Sequence, residues 1–325
     1  MRILVTGGAG YIGSVVVEEL LKASHTVFVF DNLSTGHRAA VPPHVELIQA
    51  DLLDENTLRH TLKSREIEAV VHMAAHSSVA ESVQKPDLYH RNNVTAGLAL
   101  LEAMRAAEIR QIVFSSSAAV YGEAVAQPIV ETAPARPTNP YGATKLEFES
   151  ALKQHEAEFG VRYHSLRYFN AAGATARNGE VHDPETHLIP IALDVASGQR
   201  ECVEVFGDDY ATADGTCVRD YIHVSDLARA HVLALDATAH ESAIYNLGSG
   251  GSGYSVREVI DTVREVTGKE ITSKMGPRRI GDPPKLVASS ERIKGELGWK
   301  PQYQDLRVIV ESAWQWKLAH PNGYE

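Results

Sequence analysis

Cysteine is nearly missing from this sequence, with only Cys202 and Cys217 among 325 residues. Two such residues cannot build a disulfide framework, and their spacing is not a C-x-x-C pair, so a reducing cytoplasm is the expected setting. Basic tracts of five or more residues are absent as well. Lys plus Arg total 31 against 42 Asp plus Glu, a formal net charge of −11, which argues against nucleic acid or an anionic membrane surface as partner. No apolar run approaches the roughly 18 residues needed to cross a bilayer; the apolar segments are short and β-branched, as in Ile112-Val113-Phe114. Residues 1–6 lead straight into a glycine cluster and leave no room for a signal peptide, so secretion is not expected. The fifteen histidines contain no H-E-x-x-H pattern, and no metal is expected. What remains, 44% apolar and 22% charged residues, is the composition of an ordinary globular protein rather than a disordered chain or a repeat array.

The pattern that is present is a βαβ rhythm. Apolar runs of strand length at 3–6, 26–30, 45–49, 69–72 and 112–115 alternate with stretches at 13–23, 56–64, 92–107 and 141–159 whose apolar residues recur every three or four positions. This predicts an α/β fold with a doubly wound parallel sheet over residues 1–170. Beyond about residue 170 the rhythm loosens into loops at 173–185, 207–215 and 277–284. Helical stretches at 225–237 and 255–267 follow, so residues 171–325 are expected to form a smaller mixed α/β substrate domain. Some late segments, such as the helix after His223, are expected to pack back on the first domain. Long loops inside a compact domain tend to serve function.

Between the first strand and the first helix, Gly8, Gly10 and Gly13 satisfy G-x-G-x-x-G, and Gly7, Gly10 and Gly13 satisfy G-x-x-G-x-x-G. Missing β-carbons let the backbone approach a pyrophosphate, and the positive end of the helix complements its charge. Asp31 closes the second strand, about 20 residues beyond, where a carboxylate accepts bonds from ribose hydroxyls and repels a 2′-phosphate. NAD is therefore expected over NADP, although nearby Arg38 could accommodate a phosphate. Asp51, after the third strand, could bond the adenine edge or equally cap the next helix.

Tyr141 and Lys145, four apart on one helix face, can reach the same point, and Ser117 ends the fifth strand, where a doubly wound sheet opens its ligand crevice. A tyrosine of ordinary pKa near 10 must drop by about three units, roughly 4 kcal/mol, to act as a base at neutral pH. A neighbouring ammonium and a cationic nicotinamide are expected to supply that field.

Residues 6–13, Asp31-Asn32, 72–75, Asn92-Asn93, 115–117, Tyr141 with Lys145, and 167–170 together resemble the extended short-chain dehydrogenase/reductase superfamily. Within it, residues 205–207, 214–216, 218–224, 245–248 and 278–282 resemble the UDP-glucose 4-epimerases in particular. The resemblance runs from residue 1 to about 300 and implies a Rossmann-type NAD site formed by Gly7, Gly10, Tyr11, Ile12, Gly13, Asp31, Asn32, Asp51, Leu52, Ala74, Ala75, Asn92, Tyr141, Lys145 and Tyr168. It further implies a UDP-sugar bound by Ser117, Tyr141, Asn170, His187, Leu188, Phe206, Arg219, Tyr221, Arg279 and Asp282, with the two arginines on the diphosphate. For the arginines the residues alone would equally allow ion pairs with the adjacent Asp220 and Asp282, and for His187 a plain loop histidine. The implied reaction is reversible: Tyr141 takes the proton of the sugar 4-hydroxyl while NAD takes hydride from C4, and the keto sugar turns over before both return. A homodimer through the helices at 92–107 and 141–159 is also implied, although Leu98, Leu101, Phe148 and Leu152 would equally suit packing on the sheet.

Two departures from the family pattern stand out. Relatives place a lysine after the His-x-Ala stretch where this chain has His76, Ser77 and Ser78, which implies looser cofactor retention. Leu286, four beyond Asp282, is intermediate between the bulky residue of hexose-restricted relatives and the small one of those that accept N-acetylhexosamines. Nucleotide-sugar dehydratases are set aside by Ala118 and Ala119, which stand where those enzymes carry carboxylates. Epimerases of UDP-pentoses or UDP-uronates, and a non-catalytic NAD-sensing protein, are the remaining alternatives.

Overall fold

Short segments, mostly apolar and β-branched in the first five, form the strands β1 (Arg2–Thr6), β2 (Thr26–Asp31), β3 (Glu46–Gln49), β4 (Ala69–His72), β5 (Gln111–Ser117) and β6 (Arg162–Tyr168). Together with the strand Ala243–Leu247 they make a seven-stranded sheet in the order Ala243–Leu247, β6, β5, β4, β1, β2, β3. The pairings among β1–β6 are parallel. Strand order reverses between β1 and β4, so the carboxyl ends at Thr6 and His72 flank the crevice in which open α/β sheets hold ligands. The computed structural model describes residues 1–123, 126–279 and 282–324; Ile280 and Gly281 of the arginine motif lie outside the described residues.

The chain separates into two units, one of Met1–Gly122, Ala135–Tyr168 and Ala228–Tyr245, the other of Glu123–Pro134, Phe169–Leu227 and Asn246–Glu325. A single cut at residue 170 does not describe this division. Residues around Ile129 belong to the second unit because Ile129 donates to Val287 O (2.8 Å) and accepts from Ser289 N (2.7 Å).

In the first unit, α1 (Tyr11–Lys22), α2 (Glu55–Ser64), α3 (Val79–Gln84), α4 (Pro86–His90), α5 (Ala96–Ala106) and α6 (Pro140–Phe159) connect the strands. The expected helix over 92–107 is instead a π-helical turn, Arg91–Thr95, leading into α5. One sheet face buries Leu4, Phe28, Phe30, Val70, Ile112 and Phe114 against Leu100, Leu101 and Met104 of α5 and Phe148 and Leu152 of α6. Three of the four residues considered for a dimer contact, Leu101, Phe148 and Leu152, are thus core residues; Leu98 stays 38% exposed.

Helix α6 starts where Asn139 Oδ1 accepts from Gly142 N (2.9 Å) and Pro140 supplies a preset φ, and it stops at Gly160, φ 68°. A β-carbon at Gly142 would lie 2.4 Å from Ala119 O, so glycine lets the helix start press against the end of β5. The sheet-facing side of α6 is partly polar. Lys145 and Glu149 are both buried, and Glu149 receives Arg167 Nη2 (2.6 Å), Arg167 Nε (2.9 Å) and Ser116 Oγ (2.6 Å). Arg167 Nη1 donates onward to Tyr121 Oη at 2.8 Å.

The second unit packs α7 (Leu188–Ala196) against the helices Val256–Thr267 and Leu306–Ala319 through Ile189, Leu193, Val259, Val263, Ile309 and Trp314. Ser255 and Glu258 close a capping box at the start of Val256–Thr267. No helix among the described residues is long and apolar enough to cross a membrane.

Two stability predictions follow from buried polar groups. Glu149→Ala leaves the Arg167 guanidinium buried without its counter-charge and is expected to cost about 3–5 kcal/mol in urea unfolding; a loss below 1 kcal/mol would contradict the pairing. His72 is fully buried on Thr6 Oγ1 (2.7 Å) and the rings of Phe114 and Phe148. Burial, aided by the Lys145 charge, pushes its pKa down from 6.5 to about 3. The unfolded chain then binds the extra proton, so this contribution is complete above pH 6.5 and is lost as pH falls toward 3. His72→Asn is expected to flatten the acid limb of stability measured against pH between 6.5 and 4.

Candidate functional site

Residues 7–13 form a cradle whose shape depends on missing side chains. Gly7 adopts φ +69°, and a β-carbon there would lie 2.5 Å from Ala74 N; one on Gly13 would lie 2.1 Å from Gly7 O. A β-carbon on Gly10 would meet protein only at 3.4 Å, so its bareness serves whatever approaches from outside. Gly10 begins α1 without a side-chain cap, which leaves the turn of N–H groups containing Tyr11, Ile12 and Gly13 facing an anion position. Asp31 is held at the rim: Oδ2 accepts from Ala9 N (2.9 Å) and Oδ1 from Leu33 N (2.8 Å). Each oxygen retains a lone pair for a ribose hydroxyl. These features fit a dinucleotide.

Asn32 and Asp51 come together, with Asn32 Nδ2 donating to Asp51 Oδ2 at 2.9 Å. Asp51 is not the helix cap; Asp54 is, accepting from Thr57 N. Leu52 packs its side chain into the core, leaving its backbone to any ligand. Arg38 Nη2 is engaged by Gln49 Oε1 at 3.0 Å, which turns it to the rim of the sheet. Ala74 lies against Gly7, and Ala75 follows it directly. Asn92 donates to Asn93 Oδ1 (3.0 Å), and it is Asn93 that ties the loop after β4 to α6, through His76 N (2.9 Å), His76 O (3.0 Å) and Thr144 Oγ1 (3.1 Å). The Asn92-Asn93 doublet was the available signal, and only its second member is buried. The π-helical turn at Arg91–Thr95 presents both, in keeping with the frequent use of such turns at functional sites.

Ser117, Tyr141 and Lys145 meet at the end of β5. The Ser117 side chain acts on the Tyr141 hydroxyl, and Lys145 Nζ lies 5.8 Å from the Tyr141 ring centroid while donating to Ser115 O at 2.6 Å. Burial pushes the Tyr141 hydroxyl above its ordinary pKa, opposed by the Ser117 hydrogen bond. Burial also lowers Lys145 from 10.5 to about 7, against the opposing pull of Glu149. Tyr168, at the end of β6, bonds His231 Nε2, and burial raises its hydroxyl too.

In the second unit the strand Asn170–Ala172 pairs in parallel with Tyr221–His223, setting Asn170 beside Tyr221. Burial raises the Tyr221 hydroxyl to about 12. Arg219 pairs with Asp282 (2.5 Å) and donates to Pro283 O (3.0 Å). Its sequence neighbour Asp220 is fully buried instead, accepting from Ser249 N and Oγ (each 2.8 Å) and Ala288 N (3.1 Å). The Arg279 guanidinium lies 4.0 Å from the Phe206 ring centroid. His187 precedes α7, whose first residue is Leu188, and Glu180 and Glu185 hold His187 Nδ1 at 2.8 and 3.0 Å. Glu180 above all raises the His187 pKa well above its ordinary value. This His–Glu grouping was missed because its members are spaced along a loop rather than at helical intervals.

Residues 3–248 match the NAD dependent epimerase/dehydratase family. The UDP-glucose 4-epimerase of Corynebacterium glutamicum is 53% identical over 320 residues, 98% of this chain and 96% of the relative. The crystal structure of the Brucella ovis UDP-glucose 4-epimerase in complex with NAD superposes with a TM-score of 0.94 at 45% identity over 97% of both chains. That of the Bifidobacterium longum enzyme with NAD+ and UDP gives a TM-score of 0.93 at 37% identity, covering 99% of this chain and 100% of the other. Glycine cradle, rim carboxylate and Ser–Tyr–Lys group thus coincide with similarity over the full length, and the chain belongs to the NAD dependent epimerase/dehydratase family.

Proposed function

We propose that this protein is an isomerase that interconverts UDP-galactose and UDP-glucose by NAD-dependent 4-epimerisation. The observation that carries the reading is the Ser117–Tyr141–Lys145 group at the mouth of a dinucleotide cradle, with Ala118 and Ala119 supplying no acid or base for elimination. Full-length relatives named UDP-glucose 4-epimerase support it.

Residues 7–13, Asp31, Asn32, Asp51, Leu52, Ala74, Ala75, Asn92 and Tyr168 hold the cofactor in this reading. When bound, NAD supplies the hydride acceptor for C4 of the sugar and a positive charge near Tyr141. Tyr141 Oη takes the proton of the 4-hydroxyl and, once the keto sugar has turned, returns it to the same oxygen. Ser117 hydrogen-bonds the same oxygen and steers the transfer. Lys145, brought near neutrality by burial, can gain or lose a proton at working pH and thereby follow the charge on Tyr141. Arg219 and Arg279 grip the diphosphate while the sugar turns, with Asn170, His187, Leu188, Phe206, Tyr221 and Asp282 completing the nucleotide contacts. A cytoplasmic homodimer in galactose metabolism is part of the same proposal, supported by two free cysteines and by the exposed Val83, Leu88 and Leu98 on α3, α4 and α5.

The test is proton NMR of the anomeric region of UDP-galactose incubated with purified protein. Growth of the UDP-glucose signal without added cofactor is expected; a spectrum unchanged even after NAD is added would overturn the assignment. Tyr141→Phe is expected to lower kcat about 10²- to 10⁴-fold in the same assay with thermal stability preserved. Leu286, in the strand Lys285–Leu286 beside Arg219, leaves room for N-acetylated sugars in this proposal. UDP-N-acetylglucosamine is expected to turn over, and its inertness beside good UDP-galactose turnover would remove that extension.

A further inference from the structure

Residues 173–187 join the strand Asn170–Ala172 to α7 without a helix or strand of their own. Structureless connections of that length are uncommon in compact domains unless they work or are clipped in place. The last part of this loop brings four side chains to one point. Glu180, His182, Glu185 and His187 each offer a donor atom, and these atoms all lie within 4.8 Å of one another. Neighbouring donors are 2.8 and 3.0 Å apart from His187 Nδ1 to Glu180 Oε1 and Glu185 Oε1, and 3.3 and 3.5 Å from His182 Nδ1 to Glu180 Oε1 and Glu185 Oε2. Around a tetrahedral ion with bonds of about 2.0–2.2 Å, adjacent donors stand about 3.3 Å apart.

We propose that Glu180, His182, Glu185 and His187 bind one Zn²⁺ ion, which clips this loop ahead of α7. Both imidazoles turn the same ring nitrogen to the same two carboxylates. One N–H can satisfy one carboxylate oxygen well, whereas an ion at the centre satisfies all four donors together. Its two positive charges balance the two carboxylates, whose side chains are only 8% and 12% exposed, while both histidines bind as neutral imidazoles. Two imidazoles among four donors select a transition ion over Ca²⁺ or Mg²⁺, which want six or more oxygens. Lys317, on the same cavity wall, is committed to Asp194 at 2.5 Å, which leaves the two carboxylates to the imidazoles or to an ion between them. That cavity, about 200 Å³ and lined by Glu180, His182 and Glu185 together with Trp316 and Lys317, gives the ion a way in. Because His187 immediately precedes α7, the ion fixes where that helix begins.

Untagged protein stripped with a chelator and titrated with Co²⁺ is expected to develop the intense visible absorption of tetrahedral cobalt, saturating at one equivalent per chain. Zn²⁺ should abolish the band by displacement, and excess Mg²⁺ or Ca²⁺ should leave it unchanged. Glu185→Gln and His182→Asn, each with unaltered circular dichroism, should lose the band, and Zn²⁺ should raise the Tm of the parent but not of either variant. Absence of a tetrahedral band in the stripped parent protein, whose folding does not depend on any substitution, would overturn the proposal. So would a band of equal strength in both variants.

Discussion

The buried Glu149–Arg167 pair is the constraint on which the Ser117–Tyr141–Lys145 group depends. Helix α6 carries Tyr141, Lys145 and Glu149 at intervals of four, so one stripe of the helix bears all three. Glu149 takes two bonds from Arg167 on β6 and one from Ser116 on β5. This locks the rotation of the helix about its axis, and Tyr141 arrives opposite Ser117 as a result. Ion pairs of this kind contribute little net stability against an apolar alternative. Their value is in specifying one geometry, which a greasy interface of Leu and Phe would define less sharply.

The same economy governs the charges at the site. Two ionisable groups of the site are placed where water cannot stabilise their charged forms, so Tyr141 rises and Lys145 falls, and groups nearly level as free side chains move apart. Burial thus separates two groups whose ordinary pKa values nearly coincide and favours the neutral form of both, while a cation bound nearby pulls Tyr141 back toward the phenolate.

Much of this was legible in the residues. The glycine cradle, Asp31 and the Ser–Tyr–Lys group each combine a residue type with a spacing that has a physical cause, and the β1–β5 rhythm announced a parallel sheet. What stayed hidden was hidden for identifiable reasons. β6 reads Arg-Tyr-His-Ser-Leu-Arg-Tyr and shows no apolar run, because its buried polar side chains find partners elsewhere: His164 Nδ1 on Ala234 O at 2.8 Å and Arg167 on Glu149. The π-helical turn at Arg91–Thr95 differs from an α-helix by a register that periodicity does not resolve. Adjacency suggested that Arg219 pairs with Asp220, yet Asp220 is held inside by Ser249 and Ala288, and Arg219 reaches Asp282 instead. The His–Glu grouping of the loop 173–187 escaped notice because loops carry no period.

Around the cradle, Gly7 lies so close to Ala74 that main chain packs on main chain. Recognition made by peptide groups does not depend on the identity of the solvent-facing side chains that flank it. Discrimination between nicotinamide cofactors then falls on the rim, on Asp31 and its neighbours. A lineage could exchange one dinucleotide for the other by altering a few residues there and leave the rest of the sheet untouched.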